Sequence, residues 1–159
     1  MEILLHAIKE RLSDNAEFAV IPECAENLEM SVTFHSSVGY SPPWIGYYAS
    51  IGNVMVGSGA FKGRPKNGRV EIAYGTFESQ RKKGIGAAIC GALVQLALKT
   101  DPHVTVTART LMEENASCRI LRKNNFIRKG VVHDPDDGDV WEWEFNVPTS
   151  ADDRSLYQE

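Results

Sequence analysis

The sequence predicts an α+β fold with a mixed sheet: an antiparallel meander, then a β-α-β crossover, then a closing hairpin. Three observations carry that prediction. Trp44 to Ile51, Val54 to Phe61 and Val70 to Tyr74 are extended, apolar-rich runs joined by short turns, which is the pattern of a meander. Ile85, Ala88, Ile89, Leu93, Leu96 and Ala97 repeat at the helical period, and alternating Val104, Val106 and Ala108 follow. A helix between two strands of one sheet makes those strands roughly parallel. Finally, Phe126 to Val132 and Val140 to Phe145 flank Asp134-Pro135-Asp136-Asp137-Gly138-Asp139, a run suited to a turn.

The elements follow in order. Ile3, Leu4, Leu5, Ile8 and Leu12 fit a short amphipathic helix, and Phe18 to Ile21 a first strand. Pro22 opens the next helix, with Cys24, Leu28 and Val32 at four-residue steps. After Ser41-Pro42-Pro43 the meander begins; Gly52-Asn53 suits positive φ, and Gly63 to Gly68 makes its second turn. Lys99 suits the dipole at the end of the crossover helix, and Pro102 stops it. Asn115 caps a helix over Ala116 to Asn124. In the last strand Trp141, Trp143 and Phe145 share one face, and Glu142 and Glu144 the other. Residues 1–147 therefore read as one domain, and residues 148–159 as a polar C-terminal tail.

Composition excludes several function classes. The chain has 159 residues, 43% hydrophobic and 24% charged, enough for one well-formed core. No apolar run is long enough to span a membrane, and the N-terminus lacks the order of a secretory signal. Cys24, Cys90 and Cys118 are odd in number and lack zinc spacing, so they read as reduced thiols of a cytoplasmic protein. A net charge of −4 argues against nucleic acid and is compatible with amine ligands. His6, His35, His103 and His133 show no helical ligand pairing, and the acidic run is too short for an EF-hand loop, so no metal is expected.

The stretch after Tyr74 carries the chemistry. Gly75-Thr76-Phe77-Glu78-Ser79-Gln80 leads into Arg81-Lys82-Lys83-Gly84-Ile85-Gly86 and then the crossover helix. Unpaired N–H groups at a helix start face outward, the dipole favours an anion, and glycines allow close approach. That is a phosphate cradle, with three cationic side chains beside it. It lacks the third glycine of a dinucleotide fingerprint and the Gly-Lys-Ser/Thr of a P-loop. Glu71, inside an apolar strand, is either a partly desolvated base or amine-binding group, or a solvent-facing strand residue. Ser117 and Asn115, at the next helix start, either touch a ligand or cap the helix.

The pattern Arg81-x-x-Gly84-x-Gly86 between a strand and a helix resembles the pyrophosphate-binding signature of the GCN5-related N-acetyltransferases (GNAT). Trp44-Ile45-Gly46-Tyr47 with Val56-Gly57-Ser58-Gly59 resembles that family's second and third strands, and Val70 to Gly75 its fourth. Asn115 to Phe126 resembles the segment in which Asn and Ser precede a helix ending Lys-x-Gly-Phe. That form is typical of the branch related to ribosomal-protein N-terminal acetyltransferases. These matches cover roughly two-thirds of the chain and agree in order and context.

The resemblance implies the acyl-CoA N-acyltransferase fold and direct transfer of acetyl from acetyl-CoA to a primary amine, on a small molecule or a peptide N-terminus. It also admits a non-catalytic acyl-CoA-binding regulatory module. It implies that the amides of Arg81, Lys82, Lys83, Gly84, Ile85, Gly86 and Ala87 hold the diphosphate. Tyr74, Gly75, Thr76 and Phe77 would pair with the peptide-like pantetheine where the fourth and fifth strands part. A backbone N–H around Gly75 would polarise the thioester carbonyl. Glu71 would take the ammonium proton, Ser117 would stabilise the departing thiolate, and Asn115 would contact pantetheine or cap. Three departures stand out. Asn125 stands where Gly is usual, and Leu121 where many relatives carry a proton-donating Tyr. The Asn-to-Ser spacing is one residue short, so Glu114 or Asn115 fills the Asn position. Homodimers are common in the fold, though no interface pattern marks one here.

Overall fold

In the computed structural model, which describes residues 1–147, the chain opens on a strand, β1 (Leu4–Ala7), and not on a helix. The tail expected over 148–159 lies outside the described residues. The apolar spacing of Ile3 to Ile8 fits a helix face, but the sheet offers an open edge. Leu4 to Ala7 pair there antiparallel with Tyr47 to Ser50. His6 Nε2 and Ser50 Oγ, 2.7 Å apart, tie the two strands together. The strand expected at Phe18 to Ile21 is likewise absent. A short helix, α1 (Ala16–Ala19), stands there, because the buried amide of Asn15 knots the chain first. It accepts from the Lys9 N–H (2.8 Å) and donates to the carbonyls of Lys9 (3.1 Å) and Arg11 (2.9 Å). Phe18 then drops onto the Tyr48 ring, 4.9 Å away.

The rest forms as the sequence predicts. Pro22 opens α2 (Pro22–Val38), which buries Cys24 and Leu28. The meander is β2 (Gly46–Ile51), β3 (Val54–Phe61) and β4 (Arg69–Thr76), with Gly52 at φ 58° in the first turn. The crossover helix α3 (Ile85–Thr100) leads to β5 (Thr105–Thr110), which runs parallel to β4. Helix α4 (Ala116–Lys123) and the hairpin β6 (Phe126–Asp134) with β7 (Gly138–Phe145) finish the described chain. The seven strands lie in the order β1-β2-β3-β4-β5-β7-β6. Asp134 Oδ1 accepts from the N–H groups of Asp136 (2.9 Å) and Asp137 (3.1 Å), so the acidic run is the hairpin turn its composition predicts.

Two apolar layers sandwich the sheet. On one face Ile85, Ile89, Leu93 and Leu98 of α3 and Leu121 of α4 pack on Val70, Ile72, Val106 and Trp143. Each fully buried aliphatic side chain contributes about 1.5–3 kcal/mol. On the other face a smaller cluster joins Ile8, Phe18, Cys24, Leu28 and Tyr48. Asn125 takes φ 65° at the end of α4, the left-handed conformation that Asn tolerates, and its Nδ2 donates to the Asn146 carbonyl at 3.0 Å. The departure from Gly is thereby absorbed.

Strands β4 and β5 pair only from Arg69 to Glu71, against Thr105 to Thr107. Beyond that they separate, while β4 continues to pair with β3 as far as Thr76. This opening positions the site.

Candidate active site

Between Gln80 and Ala87 the backbone turns into a concave run of amides. Lys82 (φ 67°) and Gly84 (φ 76°) are both left-handed, which directs successive N–H groups to one side. Gly84 caps α3 with no side-chain hydrogen bond, and the first bond inside the helix runs from Ala88 N–H to Gly84 O at 3.2 Å. The N–H groups of Ile85, Gly86 and Ala87 therefore have no acceptor in the helix. Gly86 allows the close approach behind them: a Cβ there would lie 2.8 Å from Ile120 Cδ1 and 3.2 Å from Thr76 Oγ1.

These amides open into a cavity of about 670 Å³ bounded by β4, the basic turn and α4. Tyr74, Gly75 and Thr76 line it from the strand; Arg81, Lys82, Gly84, Ile85, Gly86 and Ala87 from the turn and α3; and Ser117 from α4. Three predicted residues lie off it. Lys83 Nζ donates to Gln80 Oε1 at 3.3 Å on the surface. Phe77 packs with Tyr48 (6.4 Å between ring centres), in the cluster on the opposite face. Asn115 caps α4, its Oδ1 accepting from Cys118 N–H at 3.0 Å, which leaves Ser117 free of capping duty. The sequence reading missed Ala116, Arg119, Ile120 and Lys123, which complete the wall. Their spacing of three, one and three residues marks a single helix face and was readable. With Arg81 and Lys82 they bring four cations around one cavity of a net-negative chain.

The β4 backbone sharpens one expectation. Lys62 N–H to Glu71 O (2.8 Å) and Phe77 N–H to Val56 O (2.9 Å) fix the alternation of the β3–β4 ladder. That alternation turns the Gly75 N–H toward Ser58 on β3, so Gly75 itself is not the donor facing the opening. The N–H groups of Tyr74 and Thr76 face it instead. Leu121 is fully buried and offers nothing to the cavity. Tyr74, by contrast, lines the cavity and carries a hydroxyl. Tyr40, Tyr47 and Tyr48 donate to Ile8 O (3.0 Å), Pro43 O (2.7 Å) and Cys24 O (2.7 Å), whereas Tyr74 has no such partner among the described residues. Burial, then the neighbouring Cys90 and Cys118 thiols, raise its pKa and keep it protonated.

Glu71 projects from the other face of β4, with Ala73. Burial pushes its carboxyl above the ordinary glutamate range; Lys62 and Arg109 pull it down, while Asp134 and Glu142 push it up. Lys62 Nζ lies 3.8 Å from Oε2 and Arg109 Nε 3.7 Å from Oε1. Arg109 is itself shared, with Asp134 at 3.0 Å and Glu142 at 3.6 Å. Arg69 bridges Glu142 (3.0 Å) and Glu144 (2.9 Å) beneath them. Thus Glu71 competes with other carboxylates for its cations, which leaves it more basic than a simple ion pair would. Glu78 lies in the turn before the cradle and is exposed. No group of three or more His, Cys, Asp or Glu among the described residues is arranged to hold a metal ion. Cys24, Cys90 and Cys118 are buried free thiols.

Comparison with known proteins agrees with this fold. The family model described as the acetyltransferase (GNAT) domain matches residues 18–127, more than half of the chain. The chain belongs to the GNAT acetyltransferase family. Its chemistry is acetyl-coenzyme A-dependent acetylation of an amine. The fold of this GNAT protein is similar to that of RimL, a ribosomal L7/L12 α-N-protein acetyltransferase solved with coenzyme A. Identity there is 17%, coverage 91% of this chain and 93% of that one, and TM-score 0.64. It is also similar to the aminoglycoside acetyltransferase AAC(6′)-Ib with coenzyme A, at 20% identity, 99% and 100% coverage, and TM-score 0.65. A spermidine N-acetyltransferase SpeG chimera from Vibrio cholerae and hSSAT matches at 9% identity, 99% and 98% coverage, and TM-score 0.66. No curated protein sequence matches the chain.

Proposed function

We propose that residues 1–147 form one cytoplasmic catalytic domain that acetylates a primary amine, with the cradle at Arg81 to Ala87 as its diphosphate site. The observation that carries this is the set of uncapped N–H groups at Gly84 to Ala87, opening into a cavity ringed by Arg81, Lys82, Arg119 and Lys123. Acetyl-coenzyme A supplies an activated acyl carbon as a thioester. Tyr74 and Thr76 present their N–H groups along the opening between β4 and β5, where they bind the pantetheine amides and the acyl oxygen. Glu71 takes the proton from the ammonium so that the nitrogen lone pair is free to attack. It stands three residues before Tyr74, about 10 Å along the strand, so the proton passes along a short chain of waters. Ser117, assisted by the Tyr74 hydroxyl, donates a hydrogen bond to the departing sulfur. These two stand in for the tyrosine that Leu121 replaces.

The test is release of free thiol when the purified protein meets acetyl-coenzyme A and a panel of primary amines. Turnover well above thioester hydrolysis is expected. Coenzyme A at saturating concentration should also raise the melting temperature by several degrees, as 100 times Kd stabilises by about 2.7 kcal/mol. A melting shift without turnover on any amine would instead identify a binding module.

A further inference from the structure

We infer that the acceptor is an amine carrying a single apolar group, aromatic or branched aliphatic, rather than a polycation. The inference rests on the transferase reading above and concerns a second cavity, of about 290 Å³, on the α2 face of the sheet. Strand β4 is the shared wall. Ala73 lines this cavity while Tyr74 and Gly75 line the cradle side, so a group held here lies beside the acyl site. Lys62, in contact with Glu71, stands at its rim.

The lining selects by chemistry. Met30 and Phe34 of α2, one helical turn apart, line the cavity at 75% and 38% exposure. Ile8 and Ala60 continue the apolar surface inward. Two of the polar side chains inside are already engaged, while Ser31 and Ser58 contribute hydroxyls. The His35 ring nitrogens pair with Ser31 O (3.2 Å) and Phe61 O (2.8 Å), and Asn27 Oδ1 accepts from the Tyr48 hydroxyl (2.7 Å). Asp136 is the one carboxylate in the lining among the described residues. A polyamine or aminoglycoside brings several ammonium groups, whereas this wall offers one carboxylate and the hydroxyls of Ser31 and Ser58, and sets the cationic Lys62 beside them. One ammonium and one hydrophobic group match it: the ammonium meets the Glu71–Asp136 side, and the apolar group enters under Phe34. The volume sits at the small end of ligand pockets, which span about 300–1,000 Å³, and so suits one such group.

Rates with saturating acetyl-coenzyme A should be compared for phenylethylamine, ethylamine, a Phe-initiated tetrapeptide, a Ser-initiated tetrapeptide, spermidine and neamine. The expected result is kcat/KM at least 30-fold higher for phenylethylamine or the Phe peptide than for spermidine or neamine; which of the two leads distinguishes a free amine from a peptide N-terminus. Phe34→Ser should raise KM for the preferred acceptor at least tenfold more than it raises KM for ethylamine. Phe34 is partly exposed, so the variant should keep its melting temperature. Calorimetric binding of phenylethylamine to the coenzyme A-saturated protein gives a readout independent of turnover. Binding that Phe34→Ser abolishes supports the cavity assignment even if no amine is acetylated, in which case the transferase reading alone fails. Efficient turnover of spermidine or neamine, with no binding of phenylethylamine, overturns the assignment and leaves the transferase standing.

Discussion

Glu71→Gln is expected to lower kcat about 100-fold near neutral pH, within the 10²–10⁴ range of a positioned general base. Gln keeps the size and hydrogen-bonding capacity of Glu71 but cannot take a proton. A base works only when deprotonated, and burial holds this carboxyl above its ordinary value. The wild-type rate should therefore climb as pH rises through that elevated pKa, and the limb should vanish in Glu71→Gln. Lys62 lies 3.8 Å away and pulls the pKa down, so Lys62→Met should move the limb to higher pH. As pH approaches the pKa of the acceptor amine, that amine loses its proton without help, and the deficit of Glu71→Gln should shrink. A role confined to supporting Arg109 would give a different result: a lower melting temperature and a pH-independent loss of rate.

Gly84→Asp should weaken coenzyme A binding at least 100-fold. Asp tolerates the left-handed conformation that Gly84 adopts at φ 76°, so the turn survives. No heavy atom lies within 4 Å of a Cβ built there, so the side chain also fits. What changes is charge. A carboxylate would stand at the mouth of the amide cradle, and two like charges about 4 Å apart repel by about 4 kcal/mol at an effective dielectric of 20. Gly84→Asn supplies the control, with the same shape and no charge, and should cost only a few-fold. Calorimetric titration of both variants separates electrostatic exclusion from a steric effect.

Legibility in the sequence tracked how local each determinant was. The meander, the crossover and the closing hairpin were readable because turn residues and periodicity are encoded over a few positions. Gly52-Asn53 and the Asp134 turn are examples. The N-terminus was not. Ile3 to Ile8 carry a pattern that suits a helix face, and only the open edge of β2, more than 40 positions away, made them a strand. Phe18 failed for a related reason, since the Asn15 amide knot that precedes α1 has no sequence signature. In the proposed site, the glycine-bearing turn and the half-buried acid Glu71 were legible as features, since a turn of this kind needs only local glycines and an acid stands out in an apolar strand. The competition of Glu71, Asp134 and Glu142 for Arg109 depends on three strands meeting, and the sequence shows none of it. Which amides face the opening likewise required the ladder alternation that assigns Gly75 to β3.

The cradle itself is open to direct observation. Coenzyme A titrated into nitrogen-labelled protein should shift the amide resonances of Lys82, Gly84, Ile85 and Gly86 saturably, together with those of Tyr74 and Thr76. Saturable binding that leaves those six amides unmoved, with shifts confined to other parts of the chain, would contradict the assignment of the diphosphate to this turn.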